Sequence, residues 1–152
     1  MISGKRSPVI LLADDDADDR LLVQEALSEA GVPSDLRFAE DGEDLLAYLK
    51  SCRRSESPDP CPELILLDLN MPLKDGREAL RDIRADLSLR QIPVIVFTTS
   101  KADTDIRQMY ELGANSFITK PAGFADLVAL MKRIADYWFQ TAHIPDPEPQ
   151  GI

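Results

Sequence analysis

The chain has 152 residues, of which 44% are hydrophobic, and its formal net charge is −10. This length suffices for one domain with a hydrophobic core, and the hydrophobic content argues against a disordered chain. The excess of acids argues against a nucleic-acid partner, and no apolar run approaches the roughly 20 residues that cross a bilayer.

Strand-like and helix-like segments alternate along the chain. Short apolar runs predict strands at 9–13, 36–39, 64–67, 93–97 and 116–119. Apolar residues at helical spacing predict helices at 17–30, 43–50, 76–87, 103–112 and 124–139. In the first helix the expected apolar face contains Leu21, Leu22, Ala26 and Leu27. Apolar strands that alternate with helices indicate a doubly wound α/β fold, in which helices cover both faces of a parallel sheet.

A Pro-rich segment, 51–62, interrupts the alternation and is expected to be an inserted loop. It contains both cysteines, Cys52 and Cys61, whereas the single histidine, His143, is distant in sequence. This pattern argues against a zinc site, and two free thiols are favoured over a local disulfide. No signal peptide is visible, so we expect one cytoplasmic domain over 8–140, with tails at 1–7 and 141–152.

Acids crowd the junction between the first strand and the first helix. Capping of the helix explains Asp16, Asp18 and Asp19, because acids are favoured near free helical N–H groups. Capping explains Asp14 and Asp15 poorly, since they lie at the strand end, where their charges repel each other. Acids gathered there suit a hard divalent cation such as Mg²⁺. This segment alone does not decide between the two interpretations.

Polar residues also follow the third, fourth and fifth strands, at the sheet edge where doubly wound folds bind ligands. Asp68 could be a strand-terminating acid, or a nucleophile that attacks phosphorus and forms an acyl phosphate. Thr98 offers a hydroxyl and Lys120 a positive charge, although each could be an ordinary strand or surface residue. Their joint occurrence at strand ends favours one functional site.

Four segments carry a family resemblance: 11–16 (LLADDD), 66–72 (LLDLNMP) followed by Asp75 and Gly76, 97–100 (FTTS), and 117–121 (FITKP). Together they resemble the signature of two-component response-regulator receiver domains, over about residues 8–139. The resemblance implies the flavodoxin-like receiver fold, a five-stranded parallel sheet with strand order 2-1-3-4-5.

The resemblance also implies roles for particular residues. Asp68 would be the phosphoacceptor and Lys120 the lysine that pairs with the phosphoryl group. Mg²⁺ would be held by Asp15 directly, by Asp14 through a bound water, by Asp68, and by the backbone carbonyl of Asn70. The protein would be a switch with weak autophosphorylation and autodephosphorylation activity, and not a true enzyme.

Two further positions match the family's switch. Phosphorylation would draw Thr98 inward and allow Phe117 to turn inward, which moves the face formed by the fourth helix, fifth strand and fifth helix. The donor would be a sensor histidine kinase. The 51–62 insertion and the aromatic C-terminal ending resemble small stand-alone response regulators of bacterial and cyanobacterial phytochromes, so a phytochrome-type kinase is the expected partner.

Two alternatives to the switch come from other functional classes. A haloacid-dehalogenase-type phosphohydrolase with an aspartate nucleophile would need a second acid two residues after Asp68, but Asn70 stands there and cannot transfer protons in that way. A binding module without phosphotransfer would not need the complete set of polar residues.

The last predicted helix has a wide apolar face, which predicts a homodimer. The alternative is that its aromatic residues cover the domain's own core. One apolar stripe contains Leu127, Leu130, Met131, Ile134 and Trp138, and Phe124, Val128, Ala135 and Phe139 widen it.

Overall fold

Five strands and five α-helices alternate in the computed structural model of the chain, which describes residues 7–54 and 56–146. Residues 1–6 and 147–152 of the predicted tails, and Ser55, lie outside the described residues. The elements are β1 Val9–Ala13, α1 Ala17–Glu29, β2 Asp35–Ala39, α2 Gly42–Cys52, β3 Leu64–Leu67, α3 Gly76–Ala85, β4 Val94–Thr98, α4 Asp103–Leu112, β5 Ser116–Thr119 and α5 Phe124–Ala135, followed by a π-helix, Asp136–Thr141.

The strands form one parallel sheet in the order β2-β1-β3-β4-β5. This confirms the doubly wound α/β prediction and the flavodoxin-like strand order. The register pairs Ala13 with Leu67 across β1 and β3, and Thr98 with Thr119 across β4 and β5. Because parallel strands end at the same edge, the polar residues that follow them are brought together there.

Two hydrophobic cores lie on opposite faces of the sheet. The side chains of successive strand residues alternate between faces, so Leu11 belongs to one core and Leu12 to the other. The first core lies under α2, α3 and α4, and the second lies under α1 and α5. Among the described residues, no helix is long and apolar enough to cross a membrane.

The core-facing side of α1 differs from the prediction. Val23, Ala26 and Leu27 are buried, whereas Leu21 and Leu22 are exposed. Residues 23, 26 and 27 follow the i, i+3, i+4 spacing of one helical face, and the geometry turns Leu21 and Leu22 away from the sheet. The prediction was therefore wrong for these two leucines, which leaves an apolar surface beside the sheet edge.

The last helix is also not the single α-helix predicted for 124–139. The α-helical hydrogen bonding ends at Ala135, and a π-helix continues to Thr141. Trp138 and Phe139 are half-buried and pack against the second core. Most of the predicted apolar stripe therefore covers the domain's own core, while Phe124 and Tyr137 remain exposed.

Cys52 and Cys61 form a disulfide, so the expectation of two free thiols was wrong. The predicted loop starts later than expected, because α2 extends to Cys52. The chain then folds back, and the Tyr48 hydroxyl donates a hydrogen bond to the carbonyl of Pro60, at 2.7 Å. This brings the two cysteine Cα atoms to 5.1 Å, within the usual range for a disulfide. Their sequence spacing alone could not show that return.

The amino end of α3 lies against the backbone of Asp68. Asp75 caps this helix through a reciprocal capping box with Glu78. The Gly76 N–H donates to the carbonyl of Leu69 at 2.8 Å, and a Cβ on Gly76 would lie only 2.4 Å from the Asp68 carbonyl oxygen. Glycine is therefore required for this close approach, which fixes the backbone beside Asp68.

We expect Gly76→Ala to lower the free energy of unfolding by about 1–3 kcal/mol, because backbone atoms must move to admit the methyl group. Urea denaturation measures this change. Gly123→Ala is the matched control, since the nearest atom to its added Cβ would be 4.0 Å away. Equal losses in the two variants would contradict the argument from close approach.

Candidate functional site

Three carboxylates converge at the carboxyl edge of the sheet. One oxygen from each of Asp14, Asp15 and Asp68 lies within 4.8 Å of the others. The sheet produces this cluster directly, because the Asp68 N–H donates to the carbonyl of Ala13 at 3.0 Å, one residue beyond the paired strands. The acids that follow β1 and β3 are thus neighbours in space, as the sequence predicted for strand ends.

Two of these three carboxylates are buried. Asp14 is 1% exposed and Asp68 is 8% exposed, whereas Asp15 is exposed. Burial raises the pKa of Asp14, hydrogen bonds from Lys120 and from the Asp16 N–H oppose that rise, and the nearby charge of Asp68 adds to it. Two buried carboxylates this close together repel each other, so a nearby positive charge stabilises them.

Lys120 supplies that charge from the end of β5. Its Nζ lies 2.7 Å from an oxygen of Asp14, 2.9 Å from one of Asp19 and 3.3 Å from one of Asp68. Burial by itself would lower the pKa of Lys120, but the hydrogen bonds to Asp14 and Asp19 and the charges of Asp68 and Asp14 outweigh it and raise the pKa. Lys120 therefore stays an ammonium.

Thr98 presents a buried hydroxyl at the end of β4. The residue is fully buried, and its Oγ1 has no hydrogen-bond partner within the described part of the chain. Its backbone carbonyl accepts a hydrogen bond from the Lys120 N–H at 2.7 Å, which ties the two strand ends together. An unpaired buried hydroxyl costs about 1–3 kcal/mol. It is available to an acceptor that enters the site.

The remaining predicted residues lie at or beyond the rim of this cluster. Asn70 is exposed, two residues after Asp68. Phe117 is half-buried on β5 and packs against the first core. Its backbone N–H donates to the hydroxyl of Tyr110, at 3.1 Å. Phe117 is therefore positioned between the sheet and α4, and contacts the core instead of the carboxylates.

Asp19 is a site residue that the sequence interpretation missed. Helix capping does explain Asp16, whose side chain accepts from the N–H groups of Asp18 and Asp19. The carboxylate of Asp19, however, reaches Lys120 from the opposite end of the sequence. The separation of 101 residues in the chain left no local signal for that contact.

The donor set fits a divalent cation. Hard cations such as Mg²⁺ prefer carboxylate oxygens at about 2.1 Å, which places neighbouring ligands about 3–4 Å apart. The oxygens of Asp14, Asp15 and Asp68 lie within 4.8 Å of one another, so one cation could contact all three after small adjustments. Three carboxylates, those of Asp14, Asp19 and Asp68, share the single ammonium of Lys120, and a divalent cation would balance the excess negative charge.

Comparison with known proteins identifies the family. Residues 10–132 match the response regulator receiver domain. The chain belongs to this family. It is 40% identical over 137 residues to the response regulator Rcp1 of Synechocystis sp., a match covering 90% of this chain and 92% of Rcp1.

Solved structures agree with this assignment. The phosphorylated cyanobacterial phytochrome response regulator RcpA superposes with a TM-score of 0.82 at 40% identity, covering 91% of this chain and 99% of RcpA. The Mn²⁺-bound form of Rcp1 gives 0.79 at 39% identity, covering 91% and 99%. The protein is thus a signalling receiver domain homologous to phytochrome response regulators, and the phosphohydrolase alternative is not supported.

Burial of Asp14 makes a testable prediction about stability. Because its folded pKa lies above the ordinary 3.8, the folded state holds more protons than the unfolded state in the interval between the two values. Stability must therefore fall as pH rises through that interval. We expect Asp14→Asn to stabilise the metal-free protein at about pH 7, with the advantage shrinking towards about pH 4.

Urea denaturation with a chelator present measures the effect. Asp18→Asn removes an exposed carboxylate from the adjoining helix turn and is the control, for which we expect little change. A destabilised Asp14→Asn protein at neutral pH would show that the hydrogen bonds of Asp14 outweigh its burial.

Proposed function

We propose that Asp68 accepts a phosphoryl group from the phosphohistidine of a sensor histidine kinase. The observation that carries this proposal is the position of Asp68 within a buried carboxylate group that shares one ammonium, Lys120. A carboxylate at a strand tip, next to a fixed cation and a metal-suited set of oxygens, is equipped for attack on phosphorus.

In the transfer step, an oxygen of Asp68 attacks phosphorus while the bond from phosphorus to the donor imidazole nitrogen breaks. Lys120 pairs with the transferred oxygens and offsets their charge. Asp15, Asp68, the backbone carbonyl of Asn70 and, through a bound water, Asp14 would hold Mg²⁺, which would neutralise further negative charge. Attack of water on the phosphorus of the acyl phosphate would break the bond from phosphorus to the Asp68 oxygen and release inorganic phosphate. This hydrolysis gives the weak autodephosphorylation expected of such a switch.

The switch depends on Thr98 and Phe117. Among the residues that the structure describes, none is a hydrogen-bond partner of the Thr98 hydroxyl, so a phosphoryl oxygen on Asp68 would give it an acceptor. Movement of Thr98 towards that oxygen frees space on the side of the sheet where Phe117 packs. The packing of α4, β5 and α5 then shifts between two arrangements, with phosphorylation biasing the equilibrium.

The exposed side of α1 is a candidate binding surface for the kinase. A cleft of about 660 Å³ adjoins the site and is lined by Leu22, Asp19 and Lys120, so it leads from an apolar surface to the reacting groups. A donor helix could bury Leu22 in this cleft, and cover the exposed Leu21 of the same helix, while its phosphohistidine approaches Asp68. Similarity to Rcp1 and RcpA supports a phytochrome-type kinase, and the phosphotransfer would take place in the cytoplasm.

We expect incubation with Mg²⁺ and acetyl phosphate to add one phosphoryl group, detected by intact-mass spectrometry. Asp68→Asn removes the nucleophile and should abolish labelling, as should a chelator. Asp126→Asn, which removes an exposed acid from α5, should label like the wild type. Equal labelling of Asp68→Asn and wild type would refute the proposal, and repeated turnover of phosphomonoesters would favour an enzyme.

We further infer a homodimer through the C-terminal helix. Phe124 lies at the start of α5 and Tyr137 lies in the π-helix that follows it. Both are large side chains that remain exposed. We expect light scattering at high concentration to give a dimer mass, and the double variant Phe124→Ser, Tyr137→Ser to give a monomer mass. Leu87→Ser removes an exposed leucine elsewhere and should remain dimeric. A monomeric wild type, with and without phosphorylation, would contradict this inference.

A further inference from the structure

Asp19 occupies a helix position at which a side chain commonly caps the helix. In α3, the third residue Glu78 accepts a hydrogen bond from the N–H of the N-cap residue Asp75 and completes a capping box. Asp19 is the third residue of α1, but its carboxylate contacts Lys120 at 2.9 Å. The third residue therefore completes the N-terminal cap in α3, whereas in α1 it contacts Lys120.

The N-cap residue of α1 explains this difference. Its backbone N–H, that of Asp16, donates to Oδ1 of Asp14 at 2.9 Å, so that donor is already used within the site. The Asp19 N–H donates to the Asp16 side chain at 3.3 Å, which holds the backbone of Asp19 in the first turn. The helix end thus presents the Asp19 carboxylate to Lys120 from a fixed position.

Asp19 competes with the phosphoacceptor for the same ammonium. The three protons of Lys120 are shared among three carboxylates, and the distance to Asp68, 3.3 Å, is the longest of the three. The side chain of Lys120 is 12% exposed and that of Asp19 is 34% exposed, so water screens their ion pair only in part. In this arrangement the ammonium is held closer to Asp14 and Asp19 than to Asp68.

Metal binding would make Asp19 a stronger partner of Lys120 relative to Asp14 and Asp68. The oxygens that converge for a cation belong to Asp14, Asp15 and Asp68, and Asp19 is not among them. A cation there would share the negative charge of Asp14 and Asp68. Asp19 would then be the partner of Lys120 whose charge no metal offsets.

We propose that Asp19 is a positioning residue that restrains Lys120 and thereby slows acceptance of the phosphoryl group by Asp68. This inference rests on the proposed phosphorylation of Asp68. To pair with an incoming phosphoryl group, the Lys120 ammonium must give up contact with Asp19, and the Asp19 carboxylate also repels the anionic donor. Asp19 acts through Lys120 and takes no part in bond formation.

The test compares phosphorylation rates in saturating Mg²⁺ over a range of acetyl phosphate concentrations. We expect Asp19→Asn to raise the second-order rate constant by about three- to tenfold, the scale of one partly screened ion pair. Asp19→Glu keeps the charge and should stay near the wild-type rate. Asp18→Asn removes a neighbouring exposed carboxylate from the same turn and should change the rate by less than about twofold.

Salt dependence and folding separate a charge effect from a structural one. The ratio of the Asp19→Asn rate to the wild-type rate should decline as ionic strength rises, because salt screens the removed charge. Thermal unfolding shows that each variant is folded, and Asp19→Ser provides a second neutral variant if Asp19→Asn folds poorly.

Two results would overturn the proposal: neutral variants no faster than Asp18→Asn, or a rate ratio that does not change with salt. Both leave the proposed function intact, provided that the wild type is labelled on Asp68. A wild type that takes up no phosphoryl group would instead remove the proposed function itself.

Discussion

The ammonium of Lys120 among Asp14, Asp19 and Asp68 is the interaction on which the site depends. Buried carboxylates repel one another and are costly to keep ionised away from water. A single lysine offsets only part of that charge. The donor set therefore suits a divalent cation, which the proposed phosphoacceptor role of Asp68 would use.

The sheet makes this arrangement possible. Its parallel strands place Asp14, Asp68, Thr98 and Lys120 at one edge, and buried apolar residues on both faces hold β1, β3 and β4 in register. Rigid strands fix where each side chain begins, whereas the loops beyond them can adjust. Gly76 shows how tight this packing is, because a single added methyl group would meet the backbone of Asp68.

The site is also linked to the helices that would carry a signal away. Ser100, two residues after Thr98, donates to the side chain of Asp105 on α4 at 2.6 Å, and Asp105 pairs with Arg77 on α3 at 2.7 Å. A shift of the β4–α4 loop would therefore disturb contacts of both helices. In the proposed switch, these contacts would connect a charge change at Asp68 to α4, one part of the surface formed by α4, β5 and α5.

Much of the fold was predictable because its signals are local. Apolar runs four or five residues long identified the strands, and helical spacing identified the helices, with most boundaries within three residues of the structure. The errors arose where long-range packing decided the outcome. Leu21 and Leu22 are apolar, yet they lie outside the buried face of α1 and are exposed, and α5 changes into a π-helix after Ala135.

The sequence by itself determined the order of the elements, the parallel sheet and the polar residues at its carboxyl edge, because each follows from a repeating local pattern. Only the tertiary structure decided which carboxylates pair with the Lys120 ammonium and that the two cysteine sulfurs form a disulfide. Asp19 and Lys120 are 101 residues apart, and Cys52 and Cys61 meet because α2 extends and the loop returns. Such contacts depend on how separate elements pack against one another, and no local sequence pattern shows which of their residues meet.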